Sequence, residues 1–141
     1  MADTARRRAR ELVLKALYAE SVGGRDPDEI VSAIIAAGSL SKRAYEFARA
    51  LFLLVCQHRQ WADEVISSLA ENWDIERIAL VDRSIMQMAL VELREMPDVP
   101  VKVTLNEAIE LAKEYSTGES AAFINGILDS FVKSSPQGPA G

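Results

Sequence analysis

The chain has 141 residues, 49% of them hydrophobic and 26% charged, which suits one globular domain with a core of its own. A formal net charge of −5 excludes a generic basic nucleic-acid coat protein, and the single cysteine, Cys56, excludes an intrachain disulfide. No apolar run approaches the ~20 residues that span a bilayer, and no signal-peptide core follows the N-terminus, so a reducing, cytoplasmic location is expected.

The charge is unevenly spread. Residues 1–25 carry six Lys/Arg against Asp3, Glu11 and Glu20, a local +3 on a remainder of −8. Arg6, Arg7, Arg8 and Arg10 occupy the opening turns of a first amphipathic helix, for which Asp3 or Thr4 is the candidate cap. This is the unfavourable end for cations, because the free N–H groups of a helix N-terminus are already partially positive. Each exposed cation there costs about 0.3–1 kcal/mol at low salt. A local rule broken this plainly points to an external anion such as a nucleic-acid backbone. The inward stripe is Ala5, Ala9, Leu12, Val13, Ala16 and Leu17, which leaves Leu14 and Tyr18 on the polar side as a candidate protein-contact patch.

Gly23-Gly24 ends this helix. Asp26-Pro27 opens a short second one to Ala37, with a cap residue followed by proline where its missing N–H does no harm, and Gly38 closes it. Ser39 or Ser41 caps a long helical stretch to about Asn72, with a break expected near Gln57–Gln60 because thirty residues is long for a globular helix. Ile75–Glu95 is apolar nearly all round, through Ile78, Val81, Ile85, Met86, Met88, Ala89, Leu90 and Leu93, as befits a buried central helix.

Met96-Pro97-Asp98-Val99-Pro100 is a connector, since each proline disfavours helical geometry in its predecessor. Thr104-Leu105-Asn106-Glu107 has the form of a capping box, predicting a helix from there through Tyr115. A tight turn at Ser116-Thr117-Gly118 precedes a final helix, from Glu119 or Ser120 to about Val132. Gly126 lies inside that helix, where glycine costs ~1 kcal/mol relative to alanine; close approach of another helix is the expected compensation. The Ser/Pro/Gly-rich residues 134–141 read as a disordered tail, leaving residues 1–133 as an all-α helical bundle, divided into two small sub-bundles.

Enzymatic signals are absent. Cys56 and His58 are two apart and do not face each other on a helix. There is no phosphate-binding glycine loop and no metal-ligand spacing, so neither cofactor nor metal is expected. Arginine pairs bidentately with phosphate and stacks on bases, and readers of single-stranded RNA add aromatic platforms. Tyr115, at a helix end, and Phe123, early in the final helix, are the candidates for that role. Asp82, among apolar neighbours on the helical wheel, is either a helix-start charge or one side of a polar contact with a partner.

Arg6-Arg7-Arg8-Ala9-Arg10-Glu11 with Ala16-Leu17-Tyr18 resembles the opening of the transcription antitermination factor NusB family. So do Asn72-Trp73, Glu76-Arg77, Asp82-Arg83 and Glu92-Leu93 in the middle. The last third matches most densely, through Pro100, Asn106-Glu107-Ala108, Glu110-Leu111-Ala112-Lys113 and Phe123-Ile124-Asn125-Gly126-Ile127-Leu128-Asp129.

This resemblance implies an all-α NusB-like fold of two sub-bundles of about three helices each, sharing a central buried helix. It implies binding to the boxA RNA of rRNA leader transcripts together with NusE, a small-subunit ribosomal protein, in an RNA polymerase antitermination complex that suppresses premature termination. Carried over by position, Arg6, Arg7, Arg8, Arg10 and Lys113 would meet RNA, with Tyr115, Glu119 and Phe123 on the same RNA surface. Tyr18, Leu14 and Asp82 would face NusE. Tyr115 stands where the family often has phenylalanine. The resemblance also admits a protein-interaction module, such as a homodimer that masks the arginine helix.

Overall fold

The computed structural model describes residues 4–70 and 74–134. The expected cap at Asp3, the Asn72-Trp73 pair and residues 135–141 of the expected tail lie outside the described residues. Among those described, every regular element is helical, in agreement with the all-α expectation. The helices are α1 (Thr4–Gly23), α2 (Pro27–Ile30), α3 (Lys42–Leu69), α4 (Leu80–Glu95), α5 (Val101–Tyr115) and α6 (Gly118–Ser134). The chain divides into two compact units, Met1–Gln57 and His58–Gly141.

In the first unit, α1 buries Ala9, Leu12, Val13, Ala16 and Leu17 as its spacing predicts, while Ala5 stays exposed. Leu14 is a correction. It is only 4% exposed, because α1 is covered on more than one side between Ala9 and Leu17, and a wheel that assumes one buried stripe places it on the wrong face. Gly24, at φ 64°, ends the turn after α1 in the left-handed region that glycine enters without steric penalty. The Asp26 carboxylate then accepts the Asp28 N–H at 3.2 Å, capping α2 as expected. The second helix is less regular than its spacing suggests: α2 gives way to a π turn over Val31–Ile35 and a 3-10 turn over Ala36–Gly38. Gly38 is required there, since an added Cβ would overlap the Leu12 side chain.

Ser41 caps α3, its hydroxyl accepting the Ala44 N–H at 3.2 Å. The expected break in this long helix falls at His58, whose φ of −108° and ψ of 15° are not helical; it coincides with the boundary between the units.

In the second unit, Asp63 on α3 holds α4 through three hydrogen bonds. Arg83 donates to its two oxygens from Nε at 3.4 Å and Nη2 at 3.1 Å, and Gln87 Nε2 donates at 2.7 Å. Arg94 lies over the Trp61 ring at 4.6 Å, and Trp61 meets Phe131 edge to face at 5.9 Å. Helix α4 is buried almost continuously from Asp82 to Glu92, as its all-round hydrophobicity requires, but it begins later than predicted. Asp74 caps a separate 3-10 turn over Ile75–Arg77, and Ile78 and Ala79 are extended before Leu80 starts the helix.

The capping box is also corrected. Pro100 is the N-cap of α5, its carbonyl accepting from Val103 and Thr104, so the helix opens three residues before Thr104. Thr104 lies inside it, buried, and its hydroxyl donates to Glu92 Oε1 on α4 at 3.1 Å. Thr117 caps α6, its Oγ1 accepting the Ser120 N–H at 3.0 Å. Gly126 does not mediate a close helix contact: it is exposed, and a Cβ built on it meets nothing within 4 Å.

The two glycines therefore predict opposite outcomes for one substitution. Gly126→Ala should stabilise the fold by about 0.5–1 kcal/mol, since only backbone entropy and helix propensity change. Gly38→Ala should destabilise it by about 1–3 kcal/mol through overpacking against Leu12, with partial recovery when Leu12→Val is added. Urea unfolding of the variants measures both signs.

Candidate nucleic-acid interface

The four arginines of α1 are not equivalent. Arg10 is 3% exposed, and its guanidinium lies 5.1 Å from the centre of the Phe47 ring on α3. Arg6, one turn earlier and half-buried, lies over the same ring at 4.6 Å. A cation on an aromatic face is stabilised by the ring quadrupole, by about 2 kcal/mol or more when both are desolvated. Arg10 is thus part of the packing of the first unit rather than an exposed phosphate ligand, because burial against Phe47 removes its guanidinium from solvent. Arg8 is exposed, with Nη1 3.2 Å from Glu11 Oε1, and Arg7 is half-buried. Arg8 is the exposed member of the cluster. Tyr18 remains a surface residue at 46% exposure, and Val22, one turn on, reaches 65%.

A second feature lies wholly within the second unit. A concavity of about 270 Å³ is lined by Arg77, Ile78, Ala79, Asp82, Thr117, Glu119, Ser120 and Phe123. It forms where the first turn of α4 meets the first turn of α6. The Thr117 cap fixes Ser120, and Thr117 Oγ1 donates to Ser120 Oγ at 3.1 Å. Ser120 Oγ in turn donates to Asp82 Oδ2 at 2.6 Å. Asp82 is 6% exposed, and its other oxygen, Oδ1, is buried without a hydrogen-bond partner. An unsatisfied buried acceptor costs about 1–3 kcal/mol, more if charged. That oxygen is itself shielded from solvent, so a ligand N–H would recover the cost only where a local opening of the concavity exposes it. Exposed Arg77 and Glu119 bring opposite charges to the same concavity, so it favours neither a bare anion nor a bare cation. Phe123 supplies an aromatic wall.

The structure therefore brings together Asp82, Glu119 and Phe123, which the family resemblance divides between two partners. It separates Lys113 from them. That residue lies 3.6 Å from Glu110 and lines a different groove, with Asn106, Gly118 and Asn125. Tyr115, at the end of α5, is half-buried and lines neither hollow. Sequence reasoning missed Arg77, Thr117 and Ser120 as site residues. The capping pattern Thr117-Gly118-Glu119-Ser120 was a usable signal for the cap, but the bond from Ser120 to Asp82, 38 positions away, left no such signal. Among the described residues no group of three or more His, Cys, Asp or Glu could hold a metal ion.

Comparison with known proteins bears on the family and the fold. Residues 7–133 match the model of the NusB family. The transcription antitermination protein NusB of Symbiobacterium thermophilum is 42% identical over 136 residues, covering 91% of this chain and 89% of its own. Among solved structures, T. maritima NusB superposes with a TM-score of 0.84 at 38% identity, covering 92% of this chain and 91% of that one. A crystal structure of antitermination factors NusB and NusE in complex with dsRNA shares the fold, with a TM-score of 0.84 at 23% identity, covering 95% and 100% of the two chains. A family match over almost the whole chain, with relatives of similar length, leads to one conclusion: the chain belongs to the NusB family of transcription antitermination proteins, which are not enzymes.

Proposed function

We propose that this protein binds the boxA element of rRNA leader transcripts together with NusE and joins the RNA polymerase antitermination complex, suppressing premature termination of rRNA synthesis. The observation that carries this reading is the concavity at the start of α4. A buried carboxylate with one unsatisfied oxygen beside an aromatic wall suits an unstacked nucleobase, which presents both a flat face and N–H donors. Carboxylates accept from exocyclic amines such as that of cytosine. The first unit supplies the sequence-independent attraction through Arg7 and Arg8, since cations that neutralise phosphates release counterions.

The homologous crystal structure holding NusB, NusE and RNA supports the choice of both partners. NusE is assigned to the exposed end of α1, where Tyr18 offers an aromatic body with a polar tip, the residue type enriched at protein interfaces. Leu14, being buried, is not assigned to the partner. Asp82, in the same hollow as Phe123, is assigned to RNA. No helix among the described residues is long and apolar enough to cross a membrane, and a protein acting on nascent transcripts works in the bacterial cytoplasm.

Three experiments test the reading. In a titration of boxA RNA across a salt series, Arg7→Ala with Arg8→Ala should flatten the plot of log K against log salt by roughly 0.7 for every phosphate no longer neutralised. An unchanged slope removes these arginines from the interface. Arg10→Ala should instead lower the thermal midpoint, by removing the stack on Phe47. Asp82→Asn keeps an oxygen for Ser120 but replaces the free acceptor by an amide. It should weaken boxA binding by about tenfold, in line with the 1–3 kcal/mol carried by a base-specific contact, and leave binding of a scrambled RNA unchanged. Equal weakening for both RNAs would show that the concavity does not read bases.

A further inference from the structure

The misplacement of cations at the start of α1 has a second instance in the same unit. The first turn of α3 begins Lys42-Arg43 and contains no acidic residue. Its geometry is well defined, because the Ser41 hydroxyl caps it. Both side chains are exposed, and neither makes an ion pair among the described residues. The nearest acid in sequence is Glu46, exposed one turn on, which offsets part of the charge but does not cover it. The folding gain that would account for these two cations is therefore missing.

The position of this turn is what gives it meaning. Arg6 and Arg10 of α1 both lie over Phe47 of α3. Arg43 precedes Phe47 by four residues, so the two share one face of α3 at neighbouring positions. Phe47 thus fixes the arginine-bearing start of α1 beside the first turns of α3. The charge of the whole chain follows the same division. The unit Met1–Gln57 carries nine Lys/Arg against seven Asp/Glu, and the remainder seven against fourteen. Six of those nine, Arg6, Arg7, Arg8, Arg10, Lys42 and Arg43, lie in the opening turns of α1 and α3.

We propose that the first turn of α3, through Lys42 and Arg43, is a second phosphate contact of the RNA, extending its track from α1 past Phe47 onto α3. This rests on the RNA-binding reading above and adds an element to it. The occupant follows from charge complementarity: exposed cations without an acidic partner, continuous with the arginine cluster, suit a polyanion rather than a folded protein with its own mixed surface. Arg43 makes the closer contact, being on the Phe47 face, and Lys42 flanks it.

The test is a salt series of boxA binding by the full chain carrying Lys42→Ala and Arg43→Ala, beside Arg7→Ala/Arg8→Ala and, as a charge control in the second unit, Lys102→Ala. The expected result is a slope of log K against log salt flatter by roughly 0.7 for each phosphate that α3 ceases to neutralise on a single strand, with the thermal midpoint unchanged or raised. The control should leave the slope unaltered. A wild-type slope for the α3 variant, with a flattened one for the α1 variant, overturns the α3 contact while leaving the RNA reading intact. Wild-type slopes for both overturn the two together. A control slope flattened as much as the α3 variant's shows that net charge is responsible, and also overturns it. So does an α3 variant that binds RNA normally but has reduced affinity for NusE, which would make this turn a protein surface.

Discussion

The ring of Phe47 is the point on which the first unit turns. Two guanidiniums, from Arg6 and Arg10, lie over it, and the second is almost wholly removed from water. A helix that opens with four arginines in five residues carries a cost of mutual repulsion and of opposition to its own dipole. Stacking on an aromatic face offsets part of this cost through the ring quadrupole. An acidic residue at position 47 would serve the folded state as well, but it would compete with phosphate. The ring fixes both guanidiniums and draws Arg10 into the packing of the unit.

The second unit solves a different problem. Its concavity contains a carboxylate held nearly out of solvent with one oxygen lacking a hydrogen-bond partner, an arrangement that is costly unless neighbouring groups support it. The support is a short relay. Thr117 caps α6, the cap orients Ser120, and Ser120 donates to one oxygen of Asp82. Asp82 in turn belongs to the first turn of α4, where a negative charge is favoured by the helix dipole. The frame beneath this relay is stiff, because α4 is tied to α3 through Asp63 and to α5 through Glu92 and Thr104. A site placed on helix termini within such a frame keeps its geometry better than one on a free loop.

The units also divide the electrostatic work. The first unit carries more basic than acidic residues, a balance that under the proposed function would attract a polyanion with little regard to its sequence. The second unit is acidic and holds the concavity lined by Asp82 and Phe123, which the proposed function assigns to a base. Under the proposed function, attraction and discrimination would reside in different parts of the chain, with the helix break at His58 between them. An overall negative charge suppresses indiscriminate binding that the arginine cluster alone would favour.

Much of this was legible in the residues themselves. Hydrophobic spacing, the Asp26-Pro27 start, the Ser41 cap, the excessive length of α3 and the all-round apolar character of α4 are local properties, and local physics decides them. The misplaced arginines were visible for the same reason, since a helix dipole acts within one turn. The errors have a common origin in contacts between distant segments. Leu14 faces away from the main stripe of α1 yet is buried, because a second surface covers it. Thr104 has every local qualification to cap a helix, but Pro100 starts α5 earlier and Glu92 takes the hydroxyl. Gly126 lacks the neighbour that its place in a helix suggested. Arg10 reads as one of four equal cations until Phe47, on another helix, withdraws it from solvent. Sequence by itself determined which segments are helical and where the charge is misplaced, because both depend on residues within a turn of one another. Only the tertiary structure decided which of those charges remain available and which polar groups share a hollow, because burial and hydrogen bonding depend on what distant parts of the chain bring alongside.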